Sequence, residues 1–248
     1  MNRAEIKQDA KHILNSHFSF YFLLFLPVLL IELIGGIVYY WNSSDTPKPS
    51  DVYGSLILWV ASLLAVGVYF VCVDAFRQKL TYDNPLRKSL TIFNNGDYFL
   101  GTLLIGILTG IFTFLWTLLL IVPGIIKSFS YSQSFFIYRD AIDRGERMSY
   151  LDAITRSREL MDGHKMDYFV MVLSFIGWDL LVLVTLGIAA IWVQPYMGLS
   201  FANFYNELAN QHDAAPELID EKATSDDQAD NDDHTNNDLS LIHISEPT

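Results

Sequence analysis

The run from Tyr98 to Val122, YFLGTLLIGILTGIFTFLWTLLLIV, decides the fold class of this chain. It contains no charged residue, and Pro123-Gly124 follows it directly. A helix needs about 20 apolar residues to cross the hydrocarbon core of a bilayer, and this run is longer than that. The sequence therefore predicts a membrane-spanning helix here.

Five further apolar stretches predict an all-α, polytopic membrane bundle of about six transmembrane helices, with short interfacial amphipathic helices. The predicted spans are Phe18–Trp41, Gly54–Phe76, Tyr98–Val122, Ile125–Tyr138, Asp167–Leu186 and Gly187–Tyr205. The fourth is short and carries Lys127, so a re-entrant or half-buried helix is the alternative for it. Breaks at Pro123-Gly124 and at Thr185-Leu186-Gly187 divide two long apolar blocks, and each block is expected to fold as a hairpin.

The composition excludes other common classes of protein. The chain is 51% hydrophobic and only 18% charged, with a mean hydropathy of +0.26. A soluble enzyme or a disordered regulator would be more polar. The single cysteine, Cys72, cannot form an internal disulfide, which argues against a secreted disulfide scaffold. The first apolar run is too long for a signal peptide, so we expect it to be retained as a helix.

The net charge of -12 is concentrated at the C-terminal end of the sequence. Residues 212–248 contain eleven acidic residues and one basic residue, Lys222, whereas residues 1–211 are nearly balanced. Residues 210–238 have few large apolar side chains and are predicted to form an acidic, disordered cytoplasmic tail. Residues 239–248 resemble the translated end of a transposon adapter used in sequencing libraries, and we interpret them as an adapter artefact.

Basic residues predict the orientation of the chain in the membrane. Three Lys or Arg residues precede the first predicted span, four lie between the second and third, and six lie between the fourth and fifth. The loops on the opposite side carry only Lys48. Because cytoplasmic loops are enriched in Lys and Arg, both termini are predicted to be cytoplasmic.

Three short amphipathic segments precede pairs of predicted spans. Their helix-start signals are Asn2 with Glu5, Asn84-Pro85, and Ser149 with Asp152. Their expected apolar faces are Ile6, Ala10, Ile13 and Leu14; Leu86, Leu90 and Phe93; and Leu151, Ile154 and Met161. The plan indicates a threefold repeat of an interfacial helix and a transmembrane hairpin. The alternative is that membrane proteins generally place basic amphipathic segments at the interface.

Glu32, Lys127, Asp179 and Gln194 are the candidate residues of a polar site within the membrane. Charged side chains are costly in hydrocarbon and usually face a partner or a cavity. Their positions along the spans put the three charges at similar heights in the outer half of the membrane. We expect Lys127 to pair with Glu32, with Asp179 or with both, in a site open to the outer leaflet. The alternative is a packing contact in which Lys127 or Glu32 snorkels to the interface.

Motifs of soluble enzymes, metal sites and nucleotide sites do not occur in the sequence, so no catalytic residue, metal or cofactor is predicted. Gly106 and Gly110 form a G-x-x-x-G pair, which is expected to support close helix packing. Gln194-Pro195 interrupts the last predicted span, a feature that transporters use and that helix bundles also tolerate.

One group of motifs lies in the second half of the chain, and a shorter one lies at its N-terminus. They are Pro123-Gly124-Ile125-Ile126-Lys127, Tyr131, Ser157, Leu160-Met161, Gly163, Leu173–Trp178, Pro195-Tyr196 and Phe204-Tyr205, with Arg3, Glu5-Ile6-Lys7 and Ala10-Lys11. The combination resembles the bacterial integral membrane family catalogued as domain of unknown function 975, over residues 1–209. That resemblance implies a multi-pass protein of the cytoplasmic membrane, common in Gram-positive bacteria, without an established activity. A fainter likeness is to the membrane domain attached to some glycerophosphodiester phosphodiesterases; that domain is not the hydrolase, so no catalytic residue is carried over.

Three classes of function remain open. The interfacial helices favour a non-enzymatic membrane protein that acts through membrane lipids or protein partners, self-association included, and not through nucleic acid. Repeated hairpins with polar residues at membrane depth favour a small-molecule or lipid transporter or channel. A membrane-embedded enzyme is the third alternative and rests only on two carboxylates that could share a site. If the charges converge on a water-accessible cavity, transport or catalysis is favoured over partner binding.

Overall fold

The computed structural model describes residues 2–42 and 51–212. The described part is all-α, as predicted, and contains no strand. Its helices are α1 Arg3–Ser16, α2 Phe18–Asn42, α3 Asp51–Phe76, α4 Pro85–Lys88, α5 Gly96–Leu119, α6 Ile121–Tyr131, α7 Ser134–Asp143, α8 Tyr150–Leu160, α9 Lys165–Leu173, α10 Ile176–Val184 and α11 190–212, with a 3₁₀ turn at Thr91–Phe93.

Four described segments are long and apolar enough to cross a membrane. They are Phe18–Trp41, Val52–Phe76, Gly96–Leu119 and Lys165–Val184. They coincide with the first, second, third and fifth predicted spans, so the membrane assignment is supported for these four. The fourth and sixth predicted spans are helical but do not meet the same criterion within the described residues.

The fourth predicted span, 125–138, is not one continuous helix. It is divided at Ser132 and Gln133, between α6 and α7. The hydroxyl of Ser157 on α8 donates to the carbonyl of Ser130 at 2.8 Å and accepts from the backbone N–H of Gln133 at 3.2 Å. A buried polar side chain thus satisfies backbone groups that the helix interruption leaves free.

The hairpin between the fifth and sixth predicted spans has a wider turn than the sequence suggested. Turn residues occupy 185–189, and α11 begins at residue 190. Leu186 and Gly187 both adopt positive φ, at 52° and 91°. The hydroxyl of Thr185 accepts from the N–H of Ala189 at 3.0 Å and so helps to start the returning helix.

Short helices form at all three places where the sequence predicted them, and two of the three have the predicted N-cap contacts. Asn2 caps α1 by accepting from the N–H of Glu5, and Ser149 caps α8 by accepting from the N–H of Asp152. The predicted apolar face of α1 is buried at Ile6, Ala10 and Leu14, and that of α8 is buried at Ile154 and Met161 while Leu151 is exposed. At the middle place the helix begins at Pro85 as predicted, but α4 has only four residues and a separate 3₁₀ turn follows at Thr91–Phe93. The predicted apolar face, Leu86, Leu90 and Phe93, is exposed, and the apolar side chain of Ile92 is buried.

Close backbone approach explains two of the glycines in the bundle. A Cβ on Gly124 would collide with Thr117, so Gly124 allows α6 to fold tightly back on α5. A Cβ on Gly198 in α11 would lie 2.6 Å from Phe25 Cζ on α2 and 2.9 Å from Tyr69 Cε1 on α3. Glycine at these positions lets the helices approach closely within the bundle.

The chain forms two compact units, 1–207 and 208–248. The first contains all the sites described below. Of the second, residues 208–212 are described and are helical. Most of the predicted tail 210–238, all of the adapter-like segment 239–248, and the loop with Lys48 lie outside the described residues.

Candidate functional site

A groove of about 630 Å³ lies between α3, α5 and the α6–α7 segment. The α5 helix supplies Thr102, Gly106, Thr109, Gly110, Thr113, Phe114 and Thr117 to its lining. The α3 helix supplies Trp59, Ser62, Leu63 and Val66, and the α6–α7 segment supplies Ser128, Tyr131, Ser132 and Phe135. None of these lining residues carries a charge, so the groove is an apolar and hydroxyl-lined surface beside two candidate membrane spans.

The sequence of α5 explains why the groove forms there. Threonine and glycine recur three or four residues apart between Thr102 and Thr117, so they fall on one face of the helix. Their small side chains leave space that leucine or phenylalanine would fill. The stretch from Thr102 to Thr117 is about 22 Å long, most of the roughly 30 Å hydrocarbon thickness.

Gly106 and Gly110 face this groove instead of another helix. No heavy atom lies within 4 Å of a Cβ built on Gly110, and only the Phe135 ring, at 3.9 Å, comes near one built on Gly106. The predicted close helix packing at the G-x-x-x-G pair is therefore wrong. Glycines at this spacing allow close helix packing in other membrane proteins, but in this structure Gly106 and Gly110 leave an open surface.

Five hydroxyl groups of the groove, those of Ser62, Thr109, Thr117, Ser128 and Ser132, donate to backbone carbonyls three or four residues earlier in the chain. Thr109 donates to the carbonyl of Ile105 at 2.7 Å, and Thr117 donates to the carbonyl of Thr113 at 2.8 Å. Ser128 likewise donates to Ile125 at 2.8 Å. Because their protons are used, these hydroxyls add weak acceptor oxygens to the groove without the cost of unsatisfied donors.

Lys127 and Trp116 form a contact directly beside two groove residues in the sequence. The Lys127 Nζ is 4.9 Å from the centroid of the Trp116 ring, a cation–π contact. The chain neighbours of this pair, Thr117 and Ser128, both line the groove. Within the described part of the chain, Lys127 forms no ion pair with a carboxylate.

The other predicted site residues lie elsewhere. Gln194 on α11 donates to Glu32 Oε2 on α2 at 3.4 Å, so the structure brings these two together. Asp179 is exposed on α10 and has no side-chain partner among the described residues. The structure thus joins Glu32 with Gln194 but does not bring Lys127 to either carboxylate.

A buried ionic network that the sequence interpretation missed joins α3, α7 and α11. Arg77 donates to both carboxylate oxygens of Asp140, at 2.7 and 2.8 Å, and to Asn206 at 3.2 Å. The hydroxyl of Tyr205 donates to Asp140 at 2.6 Å. Burial alone would raise the pKa of Asp140, but hydrogen bonds from Arg77 and Tyr205 and the guanidinium charges hold that pKa below its usual value.

A second bidentate pair lies beside the first. Arg139 donates to both oxygens of Asp74, at 2.7 and 2.8 Å, and to the carbonyl of Phe70 at 2.8 Å. Its side chain is only 8% exposed. Burial lowers the pKa of Arg139, but Asp74 and neighbouring carboxylates outweigh that effect and raise it. Both arginines therefore stay charged and act as fixed cross-links between helix ends.

The ionic network also bears on the predicted threefold repeat. Asp74, Asp140 and Asn206 follow one another at equal intervals along the chain, each near the end of the second helical limb of a predicted hairpin. Arg77 contacts both Asp140 and Asn206. A signal was present in the sequence, since acidic and basic residues alternate at the ends of two apolar runs, but the arginines were interpreted only as topology signals.

The N-terminal helix is held against the α9–α10 segment. Arg3 pairs with Asp167 at 2.6 Å, and Lys7 donates to the Ser174 hydroxyl at 2.9 Å. The Lys7 ammonium also lies 4.4 Å from the centroid of the Phe175 ring. These contacts join α1 to a segment more than 160 residues later in the chain.

Comparison with known proteins gives one match, to a family model that covers part of the chain. No curated protein and no solved structure matched it. Residues 117–212, which include Lys127, Arg139, Asp140 and Asp179, match the family described as "Protein of unknown function (DUF975)". The resemblance to the family catalogued as domain of unknown function 975 is therefore confirmed over residues 117–212.

Proposed function

We propose that the protein is a non-enzymatic, multi-pass protein of the bacterial cytoplasmic membrane that acts by binding membrane lipid in the groove between α3, α5 and α6–α7. The observation that carries this proposal is the groove itself, about 630 Å³ in volume and lined by uncharged side chains on a candidate membrane span. The excess of basic residues on one side supports an orientation with both termini in the cytoplasm.

The lining suits an acyl chain better than a water-soluble ligand. Trp59, Phe114 and Phe135 provide broad apolar walls, and Gly106 and Gly110 leave the floor open. Apolar and aromatic surfaces with a few polar groups are typical of small-molecule sites. A groove about 22 Å long, parallel to a membrane span, matches the direction and length of a lipid tail.

Transport is the second candidate, and the contact between Glu32 and Gln194 favours it. This contact joins a carboxylate in the first span to a residue beside Pro195, where the backbone lacks one hydrogen bond. Proteoliposomes containing a pH-sensitive dye would report proton movement under an imposed potential. Movement that Glu32→Gln abolishes would favour transport over simple binding.

The proposal is tested by filling the groove. Gly110→Leu places a side chain in the open space, where no atom lies within 4 Å of the new Cβ. Gly36→Leu is the matched control, since Gly36 is also a helical glycine in a candidate span with no atom within 4 Å of a new Cβ, and it does not line the groove. Both changes improve helix propensity, so neither should unfold its helix.

Native mass spectrometry of the detergent-purified protein gives the readout. We expect phospholipid adducts on the wild type and on Gly36→Leu, and a loss of most adducts on Gly110→Leu. Equal lipid retention by Gly110→Leu and Gly36→Leu would show that the groove is not the lipid site and would refute the proposal.

A further inference from the structure

The position of the Lys127–Trp116 pair identifies which end of the groove could hold a lipid headgroup. Trp116 lies about 30 Å along α5 from Gly96, which is the approximate thickness of the hydrocarbon core. If α5 starts at one membrane boundary, this pair lies at the opposite one. Tryptophan and lysine are common at that depth, where the ring meets the headgroups and the ammonium reaches polar surroundings.

The charge at this end of the groove is one-sided. Lys127 is positive, its partner Trp116 is neutral, and the residues that line the adjoining groove are uncharged. Glu32 lies against Gln194 instead, and Asp179 is exposed on α10. An anionic group on a ligand in the groove would therefore meet a cation without a competing carboxylate among the described neighbours.

We propose that the groove takes an anionic phospholipid, with its phosphate against the Lys127 ammonium and one acyl chain along the face from Gly106 to Thr117. This inference rests on the proposed function and names the ligand class of the same site. Selectivity for anionic over zwitterionic lipid follows from the charges that each headgroup brings close to Lys127. A zwitterionic headgroup brings its own ammonium close to Lys127, whereas an anionic glycerol headgroup brings no positive charge.

The length of the groove fits this placement. Thr117 follows Trp116 in the chain, Ser128 follows Lys127, and both line the groove, so the acyl-chain surface begins next to the residues of the cation–π pair. Gly110 lies about 10 Å further along α5 from Thr117, where an acyl chain below the headgroup would run. The cation–π contact holds the Lys127 ammonium beside Trp116, whose chain neighbour Thr117 lines the groove.

The experiment measures headgroup preference at the groove. Delipidated protein is incubated with mixed micelles that contain equal amounts of phosphatidylglycerol and phosphatidylcholine of the same chain length, and bound lipid is identified by native mass spectrometry. The wild type should bind phosphatidylglycerol roughly fivefold more than phosphatidylcholine, as one lysine near an anionic headgroup predicts. Lys127→Met should lower this ratio to about one while total bound lipid is largely retained.

Two further variants separate a specific contact from general positive charge. Lys127→Arg keeps the charge and should keep the preference. Lys11→Met removes one positive charge from an exposed position on α1 and should also keep it. A Lys127→Gln variant, with its polar and uncharged side chain, should behave like Lys127→Met and provides a second neutral form should the first not fold.

The possible results distinguish this inference from the proposed function. Equal binding of the two lipids by the wild type, or an unchanged preference in both neutral Lys127 variants, would overturn the headgroup assignment while lipid binding in the groove stands. An equal loss of preference in Lys11→Met would also overturn it, because the effect would then be general. If Gly110→Leu retains wild-type lipid, the groove proposal itself fails.

Discussion

Replacement of Asp140 by alanine should destabilise the protein more than any change to an exposed ion pair. Asp140 accepts three hydrogen bonds, two from Arg77 and one from Tyr205, and its side chain is only 10% exposed. The change leaves the Arg77 guanidinium without its main partner in a largely buried position. A guanidinium cannot lose its proton to relieve that cost.

The burial of Asp140 and Arg77 sets the size of the expected loss in the free energy of unfolding. Breaking a fully buried ion pair costs about 3–5 kcal/mol, because the remaining charge is left without compensation. The Arg77 side chain keeps 22% of its surface exposed, so water can partly solvate it. We therefore expect about 3 kcal/mol, at the lower end of that range, for Asp140→Ala.

A double-mutant cycle in mixed micelles, with unfolding by SDS, measures this loss. Arg77→Met alone should cost a similar amount, and Arg77→Met with Asp140→Ala should cost clearly less than the sum, by about 1–3 kcal/mol. Asp162→Ala, which removes an exposed partner of Lys165, is the control and should change stability little. Additive effects of the Arg77 and Asp140 changes would refute the view that this pair cross-links the helix ends.

The same pair predicts a dependence on pH. Because the pKa of folded Asp140 lies below its ordinary value of about 3.9, the pair stabilises the protein fully above that value. The contribution is lost as the pH falls through the folded pKa. Asp140→Asn should remove this component, so the variant's stability should fall less than the wild type's between neutral and strongly acidic pH. A parallel decline in both proteins would show that other groups dominate.

Three further predictions follow from the packing and from the sequence. Lys127→Met and Glu32→Gln should change stability additively, within about 0.5 kcal/mol, because the two side chains do not meet in the structure; a larger coupling energy would contradict this. Gly198→Ala should destabilise the bundle by crowding aromatic rings on α2 and α3, whereas Gly36→Ala should be tolerated; equal thermal stability of the two variants would argue against the packing described. Removal of residues after 211 should leave membrane accumulation unchanged, and a loss of the protein from membranes on immunoblotting would contradict the predicted tail.

The helical class and four candidate spans could be predicted because hydrophobicity is a local property of the sequence. The caps at Asn2 and Ser149 were equally accessible, since each depends on residues only three positions apart. The break in the fourth predicted span was not accessible in this way. It depends on Ser157, which bonds to the backbone near Ser130 from a separate helix.

The arrangement of charges could not be predicted from their heights alone. Estimated depth put Lys127 level with Glu32 and Asp179, but depth gives no information about which side of its helix each residue faces. The structure directs Lys127 toward Trp116 and Glu32 toward Gln194. A similar height in the membrane is therefore necessary for two charges to pair, but it is not sufficient.

The ionic network that joins α3, α7 and α11 shows a second limit on what the sequence can predict. Arg77 and Arg139 lie at the ends of apolar runs, where basic residues commonly report topology. Their bidentate contacts with Asp140 and Asp74 depend on how the helices come together. An acidic residue near each arginine was the available sign of an ion pair, because basic residues that only set membrane orientation do not require a carboxylate beside them.

Site-specific photo-crosslinking tests lipid binding in the groove most directly. A diazirine-bearing amino acid is placed either at Thr113, which lines the groove, or at Ile111, which is exposed on a different face of α5. After detergent purification removes loosely associated lipid, ultraviolet light should attach phospholipid at position 113 and little at position 111. Equal attachment at the two positions, or none at position 113, would contradict the account.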